Sequence, residues 1–143
     1  MKKFLVLLPV VCLCSLLSAC QRPGASGTML SLADQKGDLA FSEPETDNLL
    51  EGLKTGDYEV FSQDFNEEML QAMSREKFEL WKKERDARLG WYLKREVEGI
   101  VKRSDGTYTV IYQAYFAFTD NVLLRLVFEA DPPHRISSVW FEK

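Results

Sequence analysis

The chain has 143 residues, with 18 Lys and Arg against 22 Asp and Glu, three cysteines and a single histidine. That length accommodates one modest domain. A Ser-His-Asp or Cys-His machine would have to be built around the one histidine, a multi-histidine zinc site has nothing to draw on, and a net charge of -4 gives no support to nucleic-acid binding.

Residues 1–19 carry Lys2 and Lys3, then an apolar run from Phe4 to Leu17 broken by Pro9 and Ser15, then Leu17-Ser18-Ala19-Cys20. The apolar stretch is shorter than the roughly 20 residues that cross a bilayer. A charged start, a short apolar run and small residues form the pattern of an export signal. Its ending resembles the bacterial lipobox, which implies cleavage between Ala19 and Cys20 and acylation of Cys20. A diacylglycerol thioether plus an amide-linked acyl chain anchors stably where a single chain anchors marginally. The membrane, reached through Cys20, is therefore the first expected partner. Cleavage removes Cys12 and Cys14, and lipid consumes Cys20, so the mature chain keeps no thiol for a disulfide or a metal. Neither a metal nor a cofactor is expected. Loss of Lys2 and Lys3 leaves 16 basic residues against 22 acidic ones, a net charge of -6 that repels anionic surfaces and nucleic acid. Gln21, a second mature residue other than Asp, resembles the default for outer-membrane sorting. The expected location is the cell envelope: the outer membrane facing the periplasm in a two-membrane host, otherwise the outer face of the cytoplasmic membrane.

Residues 20–41 read as a flexible tether of small polar residues, with Met29 to Leu32 as a short docking segment. The folded domain is expected over residues 42–143. Ser42-Glu43-Pro44-Glu45 matches a capping box and predicts a helix ending near Thr55-Gly56, with Leu49, Leu50 and Leu53 as its buried stripe. Asp57 predicts the cap of a second helix carrying Tyr58 and Phe61, with Phe65 continuing the apolar spacing. Asn66 predicts the cap of a third with Met69, Leu70 and Met73, and Ser74 that of the longest, with Phe78, Trp81, Arg85 and Leu89 on one side. Gly90 supplies its stop. The period then changes to two. Strands are predicted at 91–103 with a bend at Gly99, at 108–118, at 122–130 and at 135–141, with turns at Ser104-Asp105-Gly106-Thr107 and Thr119-Asp120-Asn121. In the last strand, Ile136, Ser138 and Trp140 are expected on one side and Val139 and Phe141 on the other. The fold class is α+β: N-terminal helices packed on a curved antiparallel sheet of about four strands. Residues 42–90 hold 13 acidic and 7 basic side chains against 7 of each in 91–143, so the negative charge lies on the helical layer.

Gly56-Asp57-Tyr58, Phe61, Phe65-Asn66, Met69, Gly90, Tyr108-Thr109-Val110, Tyr112, Ala114, Phe116, Arg125-Leu126-Val127-Phe128-Glu129, Ile136 and Trp140-Phe141 resemble a short bacterial domain of unknown function. That domain has the cystatin-like cone fold of nuclear transport factor two and ketosteroid isomerase. The resemblance covers about residues 45–142 and implies a curved sheet wrapped on a long helix, often around an apolar pocket. Members include enzymes, binders and dimerisation modules, so the fold does not choose among them.

The isomerase-like members use a carboxylate base with Tyr or Asp donors aimed into the pocket. No position here matches those carboxylates, and no catalytic residue is assigned. Tyr58, Tyr112 and Tyr115 offer hydroxyls and Glu129 or Asp120 a carboxylate, but apolar periodicity makes both Tyr58 and Tyr112 core residues, Asp120 a turn residue and Glu129 a solvated one. Arg125, in an otherwise apolar strand, reads either as an arginine on the open sheet face paired with Glu96 or Glu98, or as an anion-binding group at a pocket mouth. His134 reads as an exposed loop residue. The candidate ligand pocket is drawn from Tyr58, Phe65, Trp81, Tyr112, Arg125 and Trp140. The function expected is a non-enzymatic binding or interaction module held at the membrane, with a small apolar molecule, a peptide or an envelope protein as partner. A homodimer is expected through the open sheet face, where Ile111, Tyr115, Val127 and Val139 would otherwise expose apolar area. The alternatives are an isomerase- or dehydratase-like enzyme acting on a small apolar substrate, and an inert stabilising module with a filled core.

Overall fold

The computed structural model describes residues 27–143. Ala19, Cys20, the export signal and the start of the tether lie outside the described residues. Nine elements follow in chain order: β1 (Gly27–Met29), α1 (Leu32–Thr55), α2 (Tyr58–Ser62), α3 (Glu67–Ala72), α4 (Arg75–Leu89), β2 (Tyr92–Arg103), β3 (Tyr108–Phe116), β4 (Thr119–Phe128) and β5 (Ile136–Glu142). The five strands form one curved, open antiparallel sheet in the order β1-β2-β3-β4-β5, and with the helices they make a cone-like α+β fold.

Local chemistry explains the helix boundaries. Gly56, at φ 79°, ends α1 by adopting a left-handed conformation that costs a glycine little. Asp57 accepts the Val60 N–H, Asn66 the Met69 N–H and Ser74 the Lys77 N–H, so each following helix has a side-chain acceptor for one of its unpaired donors. Gly90, also at φ 79°, closes α4 and sends its N–H to the Asp86 carbonyl. Leu49, Leu50, Leu53, Phe61, Phe65, Phe78 and Leu89 from the helices meet Ile100, Val110, Tyr112, Ala114, Phe116, Leu124, Leu126, Phe128 and Ile136 from the sheet in one core. Alternation along β3 and β4 buries one face against that core, as period-two patterning requires.

The structure departs from the sequence reading at five points. First, α1 begins at Leu32, so part of the expected tether is helical, and Ser42 is a buried residue inside the helix instead of its cap. Pro44 lies within the helix and has no N–H to give, while Thr46 Oγ1 donates to the Ser42 carbonyl at 2.6 Å. Second, α1, with 24 residues, is the longest helix, against 15 in α4. Third, the sheet has a fifth strand inside the expected tether: Gly27, Thr28 and Met29 pair with Arg103, Lys102 and Val101, so of the expected docking segment, Met29 to Leu32, Met29 lies in a strand and Leu32 starts α1. Fourth, Phe116 pairs with Thr119, so the chain turns at Ala117-Phe118, two residues before the expected turn. Fifth, a register shift between Val127 and Phe128 places Ile136 opposite Phe128 on the core face, and Val139, opposite Leu126, also packs on the core. Val139 therefore does not belong to the open face; Ile111 and Tyr115 do, and Val127, though on that side of β4, is buried and exposes no apolar area there.

The predicted bend at Gly99 coincides with a register shift between Val97 and Gly99. A Cβ at Gly99 would come within 2.9 Å of Met29 Sδ, so the missing side chain leaves room for the Met29 thioether against β2.

Candidate functional site

Among the described residues, concavities at the periphery of the packed core include three of note. A broad groove of about 570 Å³ is bordered by Phe65, Asn66, Glu67, Glu68, Glu129 and Arg135. A hollow of about 260 Å³ lies between α1 and the start of β2, beside Asp47, Lys54, Tyr92 and Arg95. A cleft of about 250 Å³ lies between α4 and β5, with Trp81, Arg85, Leu89, Val139, Trp140 and Phe141 as its main walls.

The cleft is built from two sequence patterns. On α4, Trp81, Arg85 and Leu89 recur every four residues and share one helix face. On β5, Trp140 and Glu142 stand on the open face and Phe141 on the core face, where its ring meets Trp81 at 5.5 Å and Phe116 at 5.8 Å. Trp140 remains 46% exposed at the mouth.

Arg85 is the unusual member, only 5% exposed. Its guanidinium carbon lies 5.6 Å from the centre of the Phe116 ring and 5.8 Å from that of Phe141. Such placement is attractive for a cation, more so where water is excluded. Nη2 donates to Asp86 Oδ1, and Asp86 Oδ2 accepts from Lys82 Nζ at 2.5 Å. Nε and Nη1 are buried without a hydrogen-bond partner. A buried donor without an acceptor costs about 1–3 kcal/mol. Burial pulls the Arg85 pKa below the usual guanidinium value and Asp86 opposes the fall. The remaining charges of the lining are Arg88, Glu84 and Glu142, and Arg125 Nε holds Glu142 at 3.0 Å.

Two polar clusters lie elsewhere. Arg95 donates to Asp47 Oδ1 at 2.6 Å and to Glu43 Oε2 at 2.8 Å, with its guanidinium 5.0 Å from the Tyr112 ring centre. Burial alone disfavours the Arg95 cation, but the bonds to Asp47 and Glu43 outweigh it and its pKa rises. Tyr112, fully buried, donates to Glu43 Oε1 at 2.9 Å and touches Thr46 Oγ1 at 3.1 Å; burial pushes its hydroxyl well above the usual tyrosine range. In the second cluster, burial raises Glu45 to about 7, Asp64 adds to the rise and Arg135 opposes it, and Glu45 Oε2 has no partner. Asp64 itself accepts from Asn48 Nδ2 at 2.8 Å.

The six residues singled out from the sequence do not converge. Trp81 and Trp140 share the cleft, whereas Phe65 borders the groove. The Tyr58 hydroxyl is spent on the Met73 carbonyl at 2.8 Å. Tyr112 belongs to the Arg95 cluster, and Arg125 sits on the open face against Glu142, not against Glu96 or Glu98. Glu129 accepts from Asn66 Nδ2 at 2.8 Å, and Tyr115 donates to Glu96 at 3.2 Å. His134 is half-buried, stacked on Phe41 at 4.2 Å. The residue missed as a site is Arg85. Its signal was present as an arginine on an apolar helical stripe, but Arg125, in an apolar strand, gave the same type of signal.

Among the described residues no helix is long and apolar enough to cross a membrane, and no group of His, Cys, Asp and Glu is placed to hold a metal ion. Compared with known protein families, with curated proteins and with solved structures, the chain gives no significant match.

Proposed function

We propose that the chain is a bacterial envelope lipoprotein, akin to the nuclear transport factor two and ketosteroid isomerase superfamily, whose folded part binds a ligand without transforming it. One observation carries this reading: the cleft between α4 and β5 combines aromatic walls with a buried guanidinium that has idle donors. Apolar walls with a few convergent polar groups are what small-molecule sites are made of. Acylated Cys20 holds the module at the membrane, and the tether leads to β1. A second copy docks on the open sheet face around Ile111 and Tyr115.

The enzymatic reading draws on Glu45, whose carboxyl titrates near neutrality as a general base should. Its neighbours argue against it. Asp64 and Arg135 face Glu45, and the tyrosine hydroxyls of Tyr58 and Tyr112 are engaged with Met73 and Glu43.

Mass spectrometry of the full chain, made in a bacterial host and extracted from membranes in detergent, tests the proposal. The denatured protein is expected to begin at acylated Cys20, and the native protein to carry a non-covalent adduct. Intact residues 1–19 without acylation would overturn the anchor. A bare mass in every gentle preparation would overturn the binding function.

A further inference from the structure

We propose that the cleft between α4 and β5 takes a carboxylate carried on a flat apolar body, with the Arg85 guanidinium as its counter-ion. This deepens the binding function proposed above and rests on it.

The recognition chemistry follows from what Arg85 lacks. A guanidinium has five N–H bonds. Nη2 donates to Asp86 Oδ1, while the single N–H of Nε and the two of Nη1 have no acceptor at a residue 5% exposed. Phe116 and Phe141 lie against the guanidinium and offer no acceptor oxygen. Asp86 is shared with Lys82, so one carboxylate serves two cations. An anionic oxygen entering the cleft supplies what these groups miss, and charge-assisted bonds of this kind are stronger than neutral ones.

The walls choose the anion. Glu84 and Glu142 lie in the lining, Glu142 is held by Arg125 and Arg88 stands on the same helix as Glu84, so Arg85 is the one cation set deep in the wall. That balance suits a single negative charge; a dianion such as a phosphate monoester would meet the two glutamates with one buried counter-ion. Trp81, Leu89 and Val139 supply apolar and aromatic surface on which a flat ring can lie, with Trp140 at the mouth. A volume of about 250 Å³ admits a compact ring-bearing acid or the last residue of a peptide. Both sources present the same chemistry: a free arylalkanoic acid, or a peptide ending in an aromatic residue with a free C-terminus.

Calorimetric titration of the full chain in detergent separates these outcomes. The probes are phenylacetate and acetyl-Gly-Gly-Phe, each beside its uncharged carboxamide. At least one acid is expected to bind tenfold or more tightly than its amide, and which acid does so identifies the source. Arg85→Met, with its fold checked by circular dichroism, is expected to abolish that preference. Arg85→Lys keeps the charge and loses the planar donors, and is expected to retain a reduced preference; it serves should the Met variant fail to fold. Equal binding of acids and amides by the wild type would overturn the proposal, as would an acid preference that survives Arg85→Met. If neither acid binds but the native protein carries an adduct, the ligand class falls and the binding function stands. If neither acid binds and no adduct is found, both fall.

Discussion

Burial holds the Glu45 carboxyl at about 7, with the Asp64 carboxylate adding to the rise and Arg135 opposing it. The protonated acid is therefore the form the fold prefers, while the unfolded chain ionises near 4.5. Between those two values the folded state holds more protons than the unfolded one, so the contribution of Glu45 to stability is complete below about 4.5 and is lost as pH rises through about 7. Denaturant unfolding of wild type and Glu45→Gln across this window should show the wild type losing stability relative to the variant as pH increases. Parallel curves would contradict the buried, proton-binding Glu45. Glu76, Glu96 and Asp105 have lowered carboxyl pKa values and act below this window, where acid removes their favourable bonds to Ser74, Lys94 and Thr107. Arg85 shares with Glu45 a buried polar atom without a partner, but it lines a cleft and Glu45 does not. That difference separates a candidate for ligand binding from a titrating packing residue.

At the scale of elements, the contact between α1 and α2 depends on a missing side chain. A Cβ on Gly52 would lie 2.2 Å from the Phe61 backbone nitrogen and 2.5 Å from its Cα, closer than atoms can approach. Backbone cannot step aside as a flexible side chain can, so Gly52→Ala is expected to cost about 2 kcal/mol or more, read from the midpoint of urea unfolding. A wild-type midpoint would contradict this packing. Nothing in the sequence showed what Gly52 is for, because the clash a side chain would make there is with Phe61 on another element. Other features were legible because their causes are local. Asp57, Asn66 and Ser74 cap as their side chains dictate, and Ser104-Asp105-Gly106-Thr107 turns with Gly106 at φ 87° and Asp105 accepting the Thr107 N–H. The start of α1 was not legible, since Pro44 in a capping pattern reads as a first turn and the residues before it lack a clear apolar period. Phe118 continued the alternation of β3 and hid the turn at Ala117-Phe118, although its ring ends 62% exposed beside Trp91. The reversal of Val139 follows from the irregularity at Val127 and Phe128, and a one-residue slip moves a strand's whole side-chain set to the other face.

The register of the sheet sets the cleft at a distance from the point where the chain enters the domain. Gly27 lies opposite Arg103 in β2, and the row through Lys102, Tyr108, Phe128 and Ile136 marks that end of the sheet. Trp140, Phe141 and Glu142 pair with Arg125, Leu124 and Leu123, toward the end marked by Phe116 and Thr119. Cys20 precedes Gly27 by seven residues, which reach at most roughly 25 Å when extended. An acyl anchor at Cys20 would hold the β1 end near the membrane and leave the cleft at the far end, open to ligands from the compartment. The acidic helical layer favours the same outcome, because anionic lipid heads repel it. The proposed binding function places the ligand in the cleft between α4 and β5. The most direct test is an amide-resolved NMR titration of the isotope-labelled full chain with phenylacetate. Shifts confined to residues 81–89 and 139–142 are the expected result; shifts centred on residues 63–70 beside the broad groove, or on the open sheet face, would contradict it.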